Sequence, residues 1–495
     1  MVTITDLLDQ NAQRFADRPF LSWTDPAGRR WTLSYAEVWL RVGAVSLLLA
    51  EHGVRSGDRV AVVLPNQVEL VYLWFAVTGM GATLVPLDPR LTDAELAPLL
   101  VQANPSLIVL AAGRTAPVEG CPVLAEPLDL DVAGSVLRAP AAAGADPNPP
   151  AALLYTSGST GRPKGCLLSQ LSFTLPAGHM VDRLRLTPAD VVLHVLPLHH
   201  MAGLSLLTTA AAAGARVELV ARFSGSRFWQ QAAVSGATVF RHLGEMLAML
   251  CAQPQDELEQ GHRLRLAYGA GASPAVAQRF TERFGVRTLE GYGLTETNTV
   301  LCGDLDEPRP GLLGDPLPHV QVRLMGAAGE LVGTGSGELQ VGPNPALFQG
   351  YFGDPELTEA AFDDGWYRTG DLVARDAEGR LRFRCRSNEV IRRRGENIDP
   401  TEIERVAETC TGVRRAAAVA VTAELDGTEI KLYLEPAAGH PVRVEEVLTR
   451  CTERLAAFKH PRYVEVIERL PLTATQKVDR VALRERSAVA AADSR

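Results

Sequence analysis

A stretch of small hydroxyl residues, glycines and one lysine follows a short apolar run in the first third of the sequence. It is Tyr155-Thr-Ser-Gly-Ser-Thr-Gly-Arg-Pro-Lys-Gly165, directly after the apolar residues 151–154. Glycines let backbone N–H groups approach an anion, hydroxyls donate further hydrogen bonds, and Lys164 adds a positive charge. The pattern predicts a loop that binds phosphate, and a flexible surface turn is the alternative. It is not a Walker A loop, which needs Gly-Lys followed by Ser or Thr.

The composition limits the kind of protein that this chain can be. Of the 495 residues, 46% are hydrophobic and 22% are charged, which suits a chain that buries cores in roughly three units. Acidic residues outnumber basic ones, 58 to 49, so we expect no cationic surface for nucleic acid. The first residues lack the pattern of a signal peptide, and the longest uncharged apolar run, residues 201–213, is too short to cross a bilayer. We therefore expect a cytoplasmic protein without nucleic-acid or membrane partners.

The seven cysteines predict a reducing compartment. They are scattered, odd in number and include no Cys-x-x-Cys pair, so neither a disulfide framework nor a zinc site is expected. The ten histidines show no ligand spacing such as His-Glu-x-x-His. Any metal should therefore arrive with a substrate.

Apolar runs alternate with helix-like stretches over residues 30–110 and again over residues 180–300. This alternation predicts βα units and mainly parallel sheets. Shorter strands with glycine turns follow over residues 320–341 and 381–383, which indicates a small β subdomain. Residues 388–495 carry equal numbers of acidic and basic side chains, so the net charge of −9 lies before them. The change indicates a boundary near residues 386–390, followed by a compact α+β domain.

Six separated motifs together resemble one family, the adenylate-forming enzymes, which include acyl- and aryl-CoA synthetases, peptide-synthetase adenylation domains and firefly luciferase. The resemblance spans nearly the whole chain, and the motifs occur in the family's order. Within the family, the segments RRRGENI and ATVFRHLGEMLAML are most similar to carnitine- and crotonobetaine-CoA ligase-type enzymes. The six motifs are TSGSTGRPKG, LPLHHMAG, GYGLTE, YRTGDL, RSNEVIRRRGENIDPTEIE and TATQKVDR.

The resemblance implies an α/β fold with a large N-terminal domain of several subdomains and a small, mobile α+β C-terminal domain. Their expected ranges are 1–386 and 391–495, joined by a hinge over residues 387–390. It also implies that ATP with Mg²⁺ converts a carboxylic acid to an acyl-adenylate, whose acyl group then passes to coenzyme A. Rotation of the small domain between the two half reactions is expected.

In the large domain, the resemblance places the nucleotide and the metal on motif residues. Tyr292 would stack on adenine, Thr295 would contact the α-phosphate, and Glu296 would bind Mg²⁺, for which a carboxylate oxygen is a suitable hard ligand. His200 would gate the carboxylate pocket, and a core histidine is the alternative. The other expected nucleotide-binding residues are Thr156, Ser157, Gly158, Ser159, Thr160, Gly161, Lys164, Gly269, Ala270, Gly271 and Gly293.

Four later residues complete the implied site. Asp371 would accept hydrogen bonds from both ribose hydroxyls, and Arg386 would assist at ribose and phosphate. Lys477 would bridge the incoming carboxylate and the α-phosphate, because attack of one anion on another is opposed by like charge. Gly395 would lie beside the channel of the thiol, where a side chain would obstruct it. As isolated residues, such charges are more often solvated, so these assignments depend on the whole set of motifs.

The chain also departs from the family pattern. Asn388 stands where the hinge residue is commonly Asp, and Asn298 and Gln476 stand where Gly is usual. Arg241 and Glu245 lie near an expected acyl pocket. They favour a small or polar acid over a long fatty acid, and the alternative is that both side chains point at solvent.

Two alternative functions stay open. The acyl group could pass to a carrier-protein phosphopantetheine, an amine or another nucleophile instead of coenzyme A. The chain could also be a catalytically silent nucleotide-binding protein. The presence of Thr295, Glu296, Asp371, Arg386 and Lys477 argues against that second alternative.

Overall fold

The computed structural model describes most of the chain, which forms two compact units. The first unit comprises residues 1–322 and 341–367, and the second comprises residues 323–340 and 368–495. The described residues are 2–24, 29–126, 128, 148–157, 163–255, 257–386, 389–393, 396–422, 428–455, 457–473 and 477–492.

Several helices begin after a capping residue. At Ser34, for example, the hydroxyl accepts a hydrogen bond from Glu37 N, and the Glu37 carboxylate accepts one from Ser34 N. Short 3₁₀ turns cover Glu257–Gln260 and Ala457–Lys459. The described helices are α1 Ile4–Arg14, α2 Tyr35–Glu51, α3 Val68–Gly79, α4 Asp93–Ala103, α5 Leu171–Leu184, α6 Met201–Ala213, α7 Phe228–Ser235, α8 Gly244–Ala252, α9 Pro274–Phe284, α10 Pro355–Ala360, α11 Pro400–Glu408, α12 Val444–Arg454 and α13 Arg480–Ala492.

The strands are mostly short and rich in buried aliphatic residues, as expected for sheets covered on both faces. They are β1 Pro19–Thr24, β2 Arg30–Ser34, β3 Arg59–Val63, β4 Thr83–Pro86, β5 Leu107–Leu110, β6 Val123–Ala125, β7 Pro150–Ser157, β8 Pro163–Ser169, β9 Val191–His194, β10 Arg216–Leu219, β11 Val239–Leu243, β12 Leu266–Ala270, β13 Arg287–Leu294, β14 Asn298–Cys302, β15 Asp315–Pro316, β16 Val322–Met325, β17 Gly335–Val341, β18 Gly350–Tyr351, β19 Phe362–Asp363, β20 Trp366–Arg375, β21 Leu381–Arg386, β22 Ile391–Arg393, β23 Glu396–Ile398, β24 Val413–Thr422, β25 Thr428–Pro436 and β26 Tyr463–Val466.

Two large sheets organise the first unit. One has nine strands in the order β15-β14-β13-β12-β11-β9-β10-β1-β2, and its strands from β13 to β1 run parallel. The other has seven strands in the order β18-β8-β7-β4-β3-β5-β6, and its strands from β7 to β6 run parallel. The expected α/β class with mainly parallel sheets is confirmed.

A pair of buried helices connects these two sheets. Helix α3 packs on β4 and β7, and α6 packs on β9 and β10. Trp74 Nε1 of α3 donates to Thr208 Oγ1 of α6 at 3.3 Å. Both helices are apolar on nearly every side, as a helix enclosed by protein must be. Among the described helices, none combines the length and the apolar character that a membrane-spanning segment needs.

The second unit contains an α+β core. Strands β24, β25 and β26 form one sheet, against which α11 and α13 pack, and α12 packs on α11. Strands β20 and β21 pair antiparallel, and their register places Asp371 opposite Arg386. Residues 387 and 388 of the expected hinge lie outside the described residues. The expected domain boundaries, 1–386 and 391–495, therefore stay a prediction.

Asn66 fixes the loop that leads into α6. Its Nδ2 donates to the carbonyls of Leu196 at 2.8 Å and Val220 at 3.2 Å, and Leu198 N donates to its Oδ1 at 2.8 Å. The residue is 6% exposed, so water cannot readily replace the amide. Buried backbone groups need such partners, and one side chain here satisfies three of them.

The Asn66→Ala substitution tests this role. It leaves buried backbone groups without partners, so we expect a loss of about 2–4 kcal/mol in the free energy of unfolding. Urea unfolding followed by circular dichroism measures the change. Gln13→Ala, which removes only an exposed hydrogen bond to Asp9, is the control and should cost less than about 0.5 kcal/mol. Equal stabilities of the two variants would contradict the role of Asn66.

Candidate active site

Two paired strands flank the predicted phosphate loop. Strands β7 and β8 pair antiparallel, and their register places Thr156 opposite Lys164. The sequence analysis predicted a loop over the whole motif, but its two flanks are strands because the apolar residues before Thr156 and after Lys164 belong to the sheet. The tip, with Gly158, Ser159, Thr160 and Gly161, lies outside the described residues, as does the side chain of Ser157.

Glu296 lies beside the base of this hairpin within the first unit. Tyr351 Oη donates to Glu296 Oε1 at 2.9 Å, and the Lys164 ammonium lies 5.3 Å from the centre of the Tyr351 ring. Burial, followed by the charge of Glu296, raises the pKa of Tyr351 well above its usual range, so the phenol remains a donor. The carboxylate is thus held by a neutral donor, with the Lys164 cation nearby.

Asn298 explains how the turn after Glu296 tolerates a side chain where Gly is usual. Its φ is +54°, in the left-handed region that Asn adopts more readily than most residues. Its Nδ2 donates to Ser172 O at 2.8 Å, and Thr299 N donates to its Oδ1 at 2.7 Å. A Cβ on Gly293 would lie 1.9 Å from Asn298 O, so Gly293 must remain glycine here. Thr295 and Glu296 are both half-buried in this turn.

The expected adenine loop lies where β12 ends. Gly269 and Ala270 close the strand, and Gly271 follows with φ +82°. A Cβ on Gly269 would lie 2.0 Å from His242 O, and one on Gly244 would lie 1.9 Å from Gly271 O. Backbones of neighbouring strand ends therefore approach each other directly. Such an edge, at the carboxyl ends of parallel strands, is the usual place for a ligand in an open α/β sheet.

Glu290 belongs to this edge, and the sequence analysis missed it. Its Oε1 accepts a hydrogen bond from Gly271 N at 2.6 Å, although the two residues are far apart in sequence. Burial raises the pKa of Glu290 to about 7, and the hydrogen bond from Gly271 opposes the shift. The parallel register of β12 and β13 creates the contact. The only sequence signal was a carboxylate two residues before Tyr292, which resembles an ordinary solvated charge.

His200 occupies the residue before α6, with extended backbone. Its ring lies 4.3 Å from that of His199, whose Nε2 is 3.6 Å from Asp88 Oδ2. Burial lowers the pKa of both histidines, that of His199 to about 3. Both rings are therefore neutral at physiological pH, and His200 is half-buried rather than enclosed in the core. Its role as a gate stays a prediction.

Arg241 does not point into solvent. It is half-buried, its Nη1 donates to Ala202 O at 3.3 Å, and its guanidinium lies 5.7 Å from the centre of the Tyr268 ring. The side chain of Glu245 lies outside the described residues. The structure therefore places one of these two polar side chains, Arg241, next to the first turn of the helix that His200 precedes.

The second unit brings together three of the predicted residues. Arg386 Nε lies 2.7 Å from Asp371 Oδ1, and the Asp371 side chain is almost fully buried. Lys477 as a whole is exposed to solvent. Local burial and the charge of Arg386 lower the pKa of its ammonium group. The charges of Asp371 and Glu389 oppose this shift. The ammonium is therefore electrostatically coupled to the carboxylate expected to bind ribose. Gly395 lies outside the described residues.

All seven cysteines lie in described parts of the chain, and each is unpaired. Among the described side chains, no three His, Cys, Asp or Glu residues come together in a way that could hold a metal ion.

The pH dependence of stability tests the environment of Glu290. A glutamate with a pKa of 4.5 in the unfolded chain and about 7 in the folded protein binds more protons when folded. Its contribution therefore falls as pH rises from 4.5 to 7, by at most about 1.4 kcal/mol per pH unit. We expect Glu290→Gln to gain stability relative to the natural protein over this interval, measured by urea unfolding at pH 5, 6 and 7. A constant difference between the two proteins would contradict the raised pKa.

Comparisons with known proteins agree with these motifs. Residues 8–352 match the AMP-binding enzyme family, and residues 402–477 match the AMP-binding enzyme C-terminal domain. The chain is 32% identical to oxalate–CoA ligase of Arabidopsis thaliana over 97% of each chain. It is 28% identical to crotonobetaine/carnitine–CoA ligase of Salmonella arizonae over 96% of this chain and 97% of that one, which confirms the expected likeness.

A solved structure supports the same conclusion. ATP-bound MatB from Rhodopseudomonas palustris superposes with a TM-score of 0.89 at 29% identity, over 97% of this chain and 98% of that chain. The match extends through both the large and the small domain. The reaction expected from the motifs, ATP-dependent activation of a carboxylic acid followed by transfer to coenzyme A, is the one that these relatives support. The chain therefore belongs to the AMP-binding enzyme family, as an AMP-forming acid–CoA ligase.

Proposed function

We propose that Lys477 is the group that allows the acyl-adenylate to form. The observation that carries this proposal is the electrostatic coupling of Lys477 to Asp371 and Arg386 within the second unit. If Asp371 binds the ribose hydroxyls, a lysine beside it is within reach of the phosphate on the same nucleotide. A cation at this place would oppose the negative charge that develops at the α-phosphate.

The first half reaction joins two anions. An oxygen of the substrate carboxylate bonds to the α-phosphorus, and the bond from this phosphorus to pyrophosphate breaks. Lys477 and Lys164 oppose the accumulated negative charge, and the backbone and hydroxyl groups at Thr156 add donors. In the second half reaction, the sulfur of coenzyme A bonds to the acyl carbon, and AMP leaves. Because AMP is a good leaving group, the thiolate can displace it from the acyl carbon.

The residues present fit a magnesium ion that arrives with ATP. Such an ion usually takes one or two protein carboxylates, together with substrate phosphates and water. Glu296 supplies one carboxylate, and the Tyr351 hydroxyl fixes its orientation at 2.9 Å. When bound, Mg²⁺ would neutralise charge on the phosphates. Glu296 would hold it, and Tyr351 would position Glu296.

The remaining assignments concern adenine, the acid and the cellular location. Tyr292 and the loop Gly269–Gly271 bind adenine, with Glu290 holding the loop through Gly271 N. His200, at the start of α6, borders the acid. The acid is small or polar, as oxalate is for one relative. Seven unpaired cysteines favour the cytoplasm. Coenzyme A, rather than a carrier protein, is the acceptor.

The Lys477→Ala variant separates the two half reactions. We expect it to lower adenylate formation by about 10²–10³-fold, as loss of a preorganised charged donor does. Pyrophosphate release across a panel of short, polar and aromatic acids measures this step. Thioester formation from supplied acyl-adenylate and coenzyme A, followed by mass spectrometry, should survive.

Lys431→Ala is the matched control, because Lys431 lies in the same unit and pairs with Glu465. It should change either half reaction by less than about threefold, because its partner Glu465 is not a residue of the predicted site. Equal losses of Lys477→Ala in both assays would refute the proposed role. Release of pyrophosphate without transfer to free coenzyme A would instead favour a different acceptor.

Glu296→Gln tests the metal site. The amide is a weaker ligand for a hard cation, so we expect the Mg²⁺ concentration for half-maximal pyrophosphate release to rise by about tenfold or more. Tyr351→Phe, which removes the orienting hydrogen bond, should raise it by a smaller factor. Glu359→Gln, an exposed residue of α10, is the control. An unchanged Mg²⁺ requirement in Glu296→Gln would exclude Glu296 as a ligand.

A further inference from the structure

Arg241 is a half-buried cation at the carboxyl end of β11. Its strand partner in the parallel register is Tyr268 of β12, and its Nη1 donates to Ala202 O in the first turn of α6. Phe240 and His242, its neighbours in the strand, are fully buried. Side chains alternate between the two faces of a strand, so Arg241 lies on the face opposite these two residues, next to α6.

The protein supplies no counter-charge to Arg241 among its described side chains. Arg283, another half-buried arginine of this unit, pairs with the Glu259 carboxylate, whereas the half-buried Arg59 donates to the carbonyls of Ala103 and Asn104. For Arg241, the described contacts are a backbone carbonyl and an aromatic ring. A cation partly removed from water without an anionic partner costs free energy that an anion from solution would recover.

The groups around Arg241 are electrically neutral. Burial lowers the pKa of His194 to about 4, and it raises the pKa values of Tyr268 and Cys302 to about 12. None of these groups carries charge at neutral pH. The amino end of α6, a helix of 13 residues, adds a further partial positive charge beside Ala202. Arg241 and the amino end of α6 therefore both favour an anion here.

This cation borders the proposed site for the acid. Strands β11, β12 and β13 end together, and the last two carry the glycine loop and Tyr292. His200, which directly precedes α6, lies two residues before the carbonyl that accepts from Arg241. The loop expected to bind adenine, Tyr292 and Arg241 thus lie at the same edge of one sheet.

We propose that Arg241 binds a second anionic group on the acid substrate, which makes the preferred substrate a short acid with a carboxylate at one end and a carboxylate or sulfonate at the other. The planar guanidinium can donate two parallel hydrogen bonds to such a group. The carboxylate that is activated remains at the α-phosphate. This inference rests on the proposed adenylation function and names its substrate class.

Matched acids test the preference directly. The acids with a second anionic group, called the anionic probes, are malonate, succinate and sulfoacetate. Their counterparts with an uncharged far end, called the neutral acids, are butyrate and monomethyl succinate. We expect the natural protein to release pyrophosphate with at least one anionic probe at a kcat/KM about 10- to 100-fold above that of its neutral counterpart, which is the contribution of a charge-assisted hydrogen bond. A preference for the neutral acids would overturn the proposal while leaving the adenylation function intact.

Substitution of Arg241 then assigns the preference to this residue. Arg241→Gln should lose most of the advantage of the anionic probes and change kcat/KM for the neutral acids by less than about threefold, and Arg241→Lys should keep part of it. Arg287→Gln is the control, because Arg287 lies in β13 of the same sheet and also donates to a backbone carbonyl, that of Leu305 at 3.0 Å. Equal losses for anionic and neutral acids in Arg241→Gln would show a structural role only and overturn the proposal.

Binding without turnover separates this inference from the proposed function. Succinate should raise the thermal unfolding midpoint of the natural protein in the presence of a non-hydrolysable ATP analogue, and Arg241→Gln should abolish this rise while Arg287→Gln keeps it. Binding by succinate without pyrophosphate release from any acid of the panel would refute the adenylation function and support the anion site. Absence of binding by all three anionic probes would refute the anion site.

Discussion

The candidate site depends on direct contact between backbones at the carboxyl ends of β11, β12 and β13. Any Cβ at Gly244, Gly269 or Gly293 would come within about 2 Å of a carbonyl oxygen on a neighbouring segment. No side chain fits in such a gap, so these strand ends would have to separate if one were introduced. The close approach lets Gly271 N reach Glu290 and brings the loop expected to bind adenine next to Tyr292.

Electrostatics at this edge follows from burial as much as from formal charge. Histidines at 194, 199 and 200 are neutral because burial lowers the pKa of each ring. Glu296 keeps a neutral phenol as its donor, and Arg241 remains a cation among neutral groups. Positive charge at this edge is therefore concentrated in a few side chains such as Arg241, where it would favour the binding of an anionic substrate. In the second unit, the charges of the ion pair between Asp371 and Arg386 act on Lys477.

Particular residues show how far the sequence could predict the site. The sequence could single out the phosphate motif, GYGLTE and Lys477 because their residue types and order carry chemistry locally, and their roles stay predictions. The same analysis predicted a loop over the whole motif, although its two ends belong to the paired strands β7 and β8. Small hydroxyl residues and glycine indicate a turn whether or not strands flank it. Glu290 and Asn66 were missed because each acts through a residue distant in the chain, Gly271 in one case and Val220 in the other.

The sequence by itself determined the class of fold, the family and the order of the motifs, because hydrophobic periodicity and short motifs are local properties of the chain. Only the tertiary structure decided which faces those motifs share. It paired Asp371 with Arg386 across an antiparallel register, joined Lys477 to them electrostatically, and turned Arg241 towards α6 instead of solvent. Strand register and the packing of helices on a sheet set these distances, and both arise from contacts between residues that are remote in sequence.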